Sequence, residues 1–395
     1  MTILCVSSYF KGVKFIQQAK AEGATVYLLT SLSLKNDPWP WDCIDEAFYV
    51  EEENDHDWNM FNIINGLAYT LRSKKIDRVV ALDDFDVERA AHIREHFRIP
   101  GMGQTTARYF RDKLAMRIKA NDAGINVPAF SPLFNDAEVH EYTQNVPAPW
   151  LVKPRSEASA TGIKKIHSAE ELWQHIHGLG DKRHEYLVEK FEPGDVYHID
   201  ALSQDGKLIF ARVSQYLNTP FEVAHGGGIF RSHVCEFGGK DDKALRAMTQ
   251  DVMQAFGMVF SASHTEFIKS HSTGKFYFLE TSSRVGGANL AEMVEASSGI
   301  SLWREWAKLE IAQFEGKKYK LPKTEKIYAG IVVSLIRDFH ADYSSFTDEE
   351  IVWKMDKDYH IGMIITDKKR QRILELLDNY ATHIFQNSHA SAPSK

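Results

Sequence analysis

Along the first hundred residues, short runs of aliphatic and β-branched residues alternate with stretches whose apolar positions recur every three or four. Ile3 to Val6 reads as a strand, Val13, Phe15, Ile16 and Ala19 form a helical stripe closed by Gly23, and Thr25 to Leu29 is the next strand. A helix from Trp58 to Leu71, a strand from Arg78 to Leu82 and a helix from Val87 to Phe97, halted before Pro100-Gly101, complete a small parallel α/β unit. In open parallel sheets ligands gather beyond the carboxyl ends of strands, where Ser7-Ser8 and Asp83-Asp84 fall. Helix capping accounts for the same residues. No G-x-G-x-x-G follows the first strand, which removes a dinucleotide-binding reading.

The pattern then changes. A helix from Asp112 to Ala123 leads through Gly124 and Pro128 to strands at Trp150 to Pro154 and Ile163 to Ile166, a helix from Ala169 to Ile176 and a strand from Tyr186 to Glu189. Longer alternating runs follow at Tyr197 to Ser203, Lys207 to Gln215, Ala262 to Ile268 and Lys275 to Glu280, with helices at Lys243 to Phe256 and Ser301 to Phe314, as in an antiparallel sheet with helices on it. The expected division is an N-terminal α/β domain over 1–110, a central region over 111–190 with a small lid at about 125–188, a larger antiparallel C-terminal domain over 191–386, and a frayed tail at 387–395.

Composition narrows the classes. The 395 residues are 44% hydrophobic and 26% charged, and the net charge of -7 comes from 54 acidic and 47 basic residues mixed along the chain, so neither a nucleic-acid partner nor a disordered protein is expected. Cys5, Cys43 and Cys235 form no C-x-x-C, against a zinc site or disulfide framework and in favour of reducing cytoplasm. No basic-then-apolar leader opens the sequence and no apolar run approaches the roughly 20 residues a bilayer requires, so neither secretion nor membrane insertion is expected.

Three segments carry chemistry. In Lys153-Pro154-Arg155-Ser156-Glu157-Ala158-Ser159-Ala160-Thr161-Gly162 a strand delivers a lysine into a loop of small residues, which suits backbone approach to phosphate and also suits an ordinary surface hairpin. Glu189-Lys190-Phe191-Glu192-Pro193-Gly194-Asp195 turns a strand end into exposed backbone that can pair with an adenine edge, or is simply a charged corner. In His264-Thr265-Glu266-Phe267-Ile268 and Phe276-Tyr277-Phe278-Leu279-Glu280-Thr281-Ser282-Ser283-Arg284-Val285-Gly286-Gly287, two apolar strands each carry a carboxylate, and burying such groups requires a cation nearby. Magnesium bridging nucleotide phosphates satisfies that; an ion pair of Arg284 with Glu280 is the structural alternative. A zinc deaminase reading of H-x-E fails without P-C-x-x-C. For an acceptor, His225-Gly226-Gly227-Gly228-Ile229-Phe230-Arg231-Ser232 and Gly286-Gly287 would let a substrate approach backbone, with Arg212, Arg231 or Arg284 gripping a carboxylate; a mobile loop explains the first of these as well.

In order and spacing these pieces, with Ile99-Pro100-Gly101, Arg111-Asp112-Lys113 and Gly124-Ile125-Asn126-Val127-Pro128, resemble the ATP-grasp superfamily over residues 1 to 320, in particular the branch of biotin carboxylase, carbamoyl-phosphate synthetase and amino-acid ligases. The resemblance implies an ATP-grasp fold that binds ATP, with Lys113 and Lys153 on the phosphates beneath the loop holding Ser159 and Gly162, and Leu151, Ile163 and Ile268 around the adenine. It further implies Glu189 and the Lys190-Phe191 backbone on the adenine edge, Asp195 or His198 on the ribose, Glu266, Glu280 and Ser282 on two magnesium ions or manganese, and Arg284 with Lys153 in catalysis. Two departures stand out: Ser282 where the family usually has asparagine, and Val196 near where it usually has a glutamate for the ribose. The activity implied is ATP-dependent joining of a small-molecule carboxylate and amine through an acyl phosphate, and helical surfaces of the N-terminal domain could serve a homodimer. A bicarbonate-activating or purine-pathway enzyme and a non-catalytic nucleotide-binding module are the alternatives.

Overall fold

The computed structural model describes residues 1–52, 57–158 and 161–391. At the N-terminus, parallel strands Glu46–Val50, Thr25–Ser31, Thr2–Ser7 and Arg78–Ala81 form one sheet in that spatial order. The helices Val13–Ala21, Met60–Thr70 and Asp86–Phe97 follow its strands, as the period of three to four predicts. Strand Glu46–Val50 was not expected, because its pattern of Glu46, Tyr49 and two half-buried apolar residues belongs to a sheet edge rather than a core strand.

The central unit is a four-stranded antiparallel sheet, ordered Phe130–Pro132, Tyr186–Lys190, Trp150–Pro154, Lys164–Ile166, covered by helices Asp136–Asn145 and Ala169–Leu179. Asn135 and Ser168 cap these helices through their side-chain oxygens. Trp150, Val152, Ile166, Leu172 and Val188 make its core.

The largest sheet has eight antiparallel strands in the order Phe276–Ser282, Ser261–Ser270, Gly194–Gln204, Lys207–Tyr216, Phe230–Val234, Tyr328–Leu335, His360–Asp367 and Ile351–Lys354. The last three strands and the helix Arg370–Asn387, whose buried Ile373, Leu377 and Ile384 cover them, extend the sheet beyond the last element that the hydrophobic pattern predicts. Residues 388–390, expected in a frayed tail, are instead tied to strand Tyr328–Leu335: Ala390 N donates to the Leu335 carbonyl at 3.0 Å and His389 Nδ1 lies 2.9 Å from Ser334 Oγ.

The N-terminal sheet shares a core with the large one. Ile3, Phe15 and Leu82 lie in one cluster with Leu202, Val285, Trp303 and Trp306, and the Phe15 and Trp306 rings meet edge-on at 5.1 Å. Each such fully buried side chain contributes about 2–3 kcal/mol, enough to hold the carboxyl ends of the N-terminal strands against the large sheet. Among the described residues no helix is long and apolar enough to cross a membrane.

Candidate active site

A cavity of about 750 Å³ lies between the four-stranded lid sheet and the large sheet. One end is apolar, where Leu151, Ile163, Val196, Ile268 and Leu279 line it with the Lys190-Phe191 turn, and Lys165 sits 3.7 Å over the Phe191 ring. That end has the shape and chemistry to take a flat aromatic base against a strand edge. Gly194 has no room for a side chain here, since a Cβ would fall 2.3 Å from the Lys269 carbonyl.

At the middle of the cavity cations and carboxylates alternate. Glu189, in the lid strand, is fully buried and accepts from Arg117 Nε and Nη2 at 3.0 and 2.8 Å and from Lys153 on the neighbouring strand. Burial alone would raise its pKa, but Arg117 and Lys153 outweigh that and hold it at about 2. Lys113 is set at the first turn of helix Lys113–Asp122 by the Asp112 cap, which accepts from Leu114 N and Ala115 N. Its ammonium pairs with Glu280 at 2.7 Å and donates to the Glu157 carbonyl at 2.7 Å, reaching the start of the loop over the cavity.

Glu266 and Glu280 stand directly opposite in the register of the Ser261–Ser270 and Phe276–Ser282 pair, and both line the cavity. Like charges so placed repel. Around Glu266 the chain supplies relief: Tyr216 OH donates to it at 2.8 Å and His264 Nε2 lies 3.5 Å away. Burial opposes a charged His264, but Asp200 at 2.9 Å overcomes it and raises the imidazole to about 10. His264 is therefore an imidazolium at neutral pH, and it lowers the pKa of Glu266 against that residue's own burial. The two carboxylates are hard oxygen donors open to the cavity and fit a divalent cation such as magnesium.

Asp84 enters from the N-terminal unit and lines the same cavity. It pairs with Arg111 Nη1 at 2.7 Å, lies 3.5 Å from Arg284 Nε, and accepts from the Ser282 hydroxyl. Burial works against its charge, yet Arg284 and Arg111 hold its pKa at about 2. Ser282, expected on a metal, thus has its hydroxyl directed to Asp84.

Several expected residues stand elsewhere. His198 is wholly buried, with Nδ1 2.8 Å from Asp200 and Nε2 2.7 Å from Ser232 Oγ, and does not line the cavity. An alternating strand places it and Asp200 on one face beneath His264, so a ribose role is replaced by one in the buried chain His198–Asp200–His264. Asp195 is also off the cavity wall, 3.1 Å from His271, which is on it; the carboxylate in the lining at this corner is Glu192, bonded to Ser270 Oγ. Gly286 packs on that buried chain, where a Cβ would come 2.6 Å from Asp200 Oδ1, while Gly287 lines the cavity.

The expected acceptor segment is not one loop. Thr219 and Glu222 form a capping box that starts helix Pro220–Gly226, which holds the backbone of His225, and strand Phe230–Val234 follows. Gly227 faces Ser391, and Gly228 and Arg231 line a separate cavity of about 430 Å³ against helix Arg370–Asn387. Arg231 pairs there with Asp378 at 2.5 Å. Arg212 is buried and donates to the Glu325 carbonyl at 2.9 Å, so it clamps a loop to the sheet rather than facing a substrate. Gly162, with φ +69°, makes the lid turn beside Pro154 without reaching the cavity, and Ser159 lies outside the described residues.

Sequence reasoning missed Arg117, Tyr216 and Asp200. For two of them a signal was present: Arg117 occupies the apolar stripe of its helix between Leu114 and Ala120, and His198-x-Asp200 puts two polar groups on the inward face of a strand.

No protein-family profile matches the chain. By sequence it is 28% identical over 239 residues to an L-arginine-specific L-amino acid ligase of Bacillus subtilis, covering 59% of this chain and 57% of that one. It is 24% identical over 226 residues to a D-alanine–D-alanine ligase of Prosthecochloris aestuarii, covering 52% and 61%. The chain thus spans about three fifths of the length of these curated relatives. In fold it resembles the crystal structure of an L-amino acid ligase from Bacillus licheniformis, with a TM-score of 0.73, 17% identity and 96% of each chain covered. A nucleotide-sized cavity between a four-stranded sheet and a larger antiparallel sheet, with a lysine on each side, agrees with these likenesses, and the chain has an ATP-grasp fold.

Proposed function

We propose that the protein is an ATP-dependent carboxylate–amine ligase, forming an amide through an acyl phosphate with release of ADP and phosphate. The observation that carries this reading is the meeting of Glu266 and Glu280, opposed in register, with Lys113, Lys153 and Arg284 around one cavity. The curated relatives named as ligases support it.

In this reading the adenine lies between Leu151, Ile163 and Ile268, with the Lys190-Phe191 backbone at its edge. Glu266 and Glu280 would hold magnesium, which shields phosphate charge when bound. Lys113 and Lys153 turn from their carboxylate partners to the phosphates, lowering the repulsion that keeps a substrate carboxylate from the γ-phosphoryl group. A carboxylate oxygen attacks the γ-phosphorus and the bond to the bridging oxygen breaks, leaving ADP. The amine nitrogen then attacks the acyl carbon, phosphate departs and the nitrogen loses a proton. Arg284 faces the charge that develops on the acyl phosphate, and the lid loop keeps water from it.

The test is ADP release from the purified chain with amino acids, other carboxylates and amines, singly and in pairs, together with labelled bicarbonate. Pair-dependent ADP and an amide product are expected. Substrate-dependent AMP and pyrophosphate would overturn the reading, and fixation of label without an amine would replace it with bicarbonate activation.

A further inference from the structure

Asp84 comes from the loop after strand Arg78–Ala81, yet two of the three groups paired with it sit on the segment that follows Glu280: Ser282 Oγ, which donates to it, and the Arg284 guanidinium, an ion-pair partner with Nε 3.5 Å away. The third is Arg111 Nη1 at 2.7 Å, whose guanidinium lies 4.3 Å over the ring of Phe85. Arg284 itself donates to the Val285 carbonyl at 2.9 Å, within its own segment. Among the described residues, Asp84 is the charged group outside that segment against which Arg284 is held. One carboxylate between two guanidinium groups leaves a net positive charge, so Arg284 is oriented without being neutralised and keeps charge to offer an anion.

We propose that Asp84 is a positioning residue: through it the N-terminal sheet fixes the direction of Arg284, and Ser282 belongs to this junction rather than to a metal. The inference rests on the proposed ligase function and deepens it. It gives Ser282 a use where the resemblance would place asparagine. It also ties the reactive end of the cavity to the N-terminal sheet, which among the described residues puts no side chain at the adenine end, so the two ends respond separately when the junction is altered.

The experiment compares the full chain with Asp84→Asn, Asp84→Glu, Arg284→Lys, the double variant Asp84→Asn with Arg284→Lys, and Ser282→Ala. Asp84→Asn should lower kcat at least about tenfold while KM for ATP stays within roughly threefold, because the junction acts on transfer and not on nucleotide binding. In the Arg284→Lys background the same change should cost less than about twofold, the non-additivity expected of residues acting as one unit. Additive losses, or an unchanged kcat, would overturn the proposal. Ser282→Ala should leave the Mn2+ dissociation constant, read by electron paramagnetic resonance with ADP present, within about twofold, whereas a lost ligand commonly costs about tenfold or more. A tenfold rise would return Ser282 to the metal.

Hydrogen exchange decides the point without turnover. Amides of residues 283–288 should exchange at least about fivefold faster in Asp84→Asn, with those of Thr2–Ser7 unchanged, since a segment opens more readily once its anchoring interactions are removed. Equal exchange at 283–288 would refute the role. If Asp84→Asn does not fold, Asp84→Glu, which keeps the charge and displaces it by one methylene, carries the same readings. A wild-type chain inert with every substrate pair would defeat the ligase reading, and exchange would still judge Asp84.

Discussion

Replacing Glu189 by glutamine removes one negative charge and almost no volume, and it strands two cations. Arg117 is 1% exposed in its side chain and Lys153 10%, so neither can recover its partner from water. Removing one member of a buried pair costs about 3–5 kcal/mol. A second route gives a similar figure: a pKa lowered from 4.5 to about 2 corresponds to about 3 kcal/mol. Because the folded-state pKa is the lower one, this stabilisation is fully present above pH 4.5 and is lost as pH falls toward 2. At pH 3 it should have shrunk to about 1 kcal/mol. Urea unfolding followed by tryptophan fluorescence, for the wild type and Glu189→Gln at pH 7, 4 and 3, reads both quantities. A deficit under about 1 kcal/mol at pH 7, or one that stays constant down to pH 3, would refute the assignment of Glu189 as the counterion of this buried cluster.

Two further outcomes are expected. Glu280→Gln should abolish pair-dependent ADP release while circular dichroism and the thermal midpoint change little, because its side chain is 36% exposed and Lys113 keeps its hydrogen bond to the Glu157 carbonyl; retained turnover would remove Glu280 from the reaction. Glu310, raised to about 7 by burial despite Arg78 and Arg94 nearby, binds a proton more tightly folded than unfolded, so it should make stability fall as pH rises from about 4.5 to 7. Glu310→Gln should flatten that slope in denaturation measured across the range, and an unchanged slope would count against it.

Elements with a strong local pattern were readable from the sequence. The stripe Val13, Phe15, Ile16, Ala19 and the alternation through Tyr197–Ser203 each record a face turned to a core, and the structure builds those elements with ends shifted by a few residues. The strands Tyr328–Leu335, Ile351–Lys354 and His360–Asp367 were not, since they are extensions of a sheet begun more than a hundred residues earlier, and pairing at that separation leaves little local trace. At the site, Lys113, Lys153, Glu189, Glu266, Glu280 and Arg284 were singled out because their order and spacing resemble the ATP-grasp motifs, and the structure gathers them around one cavity, their roles remaining part of the proposal. His198 and Arg212 were misassigned for a physical reason: a polar residue in a strand can turn to the cavity or into the layer beneath, and only the register decides. The glycine-rich stretch after His225 misled differently, because the Thr219 capping box upstream sets a helix there.

The pairing of Lys113 and Lys153 with carboxylates gives the proposed phosphate site the character of an exchange. Lys113 and Lys153 are both already engaged, with Glu280 and Glu189. A polyanion that draws Lys113 away leaves Glu280 exposed opposite Glu266, and it must bring a cation to put in the vacated place. A bare nucleotide would trade one satisfied contact for another and strand two like charges; a nucleotide carrying its metal settles both sides at once. Under the proposed function, a preference for metal-complexed over free nucleotide would follow from these two ion pairs, ahead of any choice of substrate.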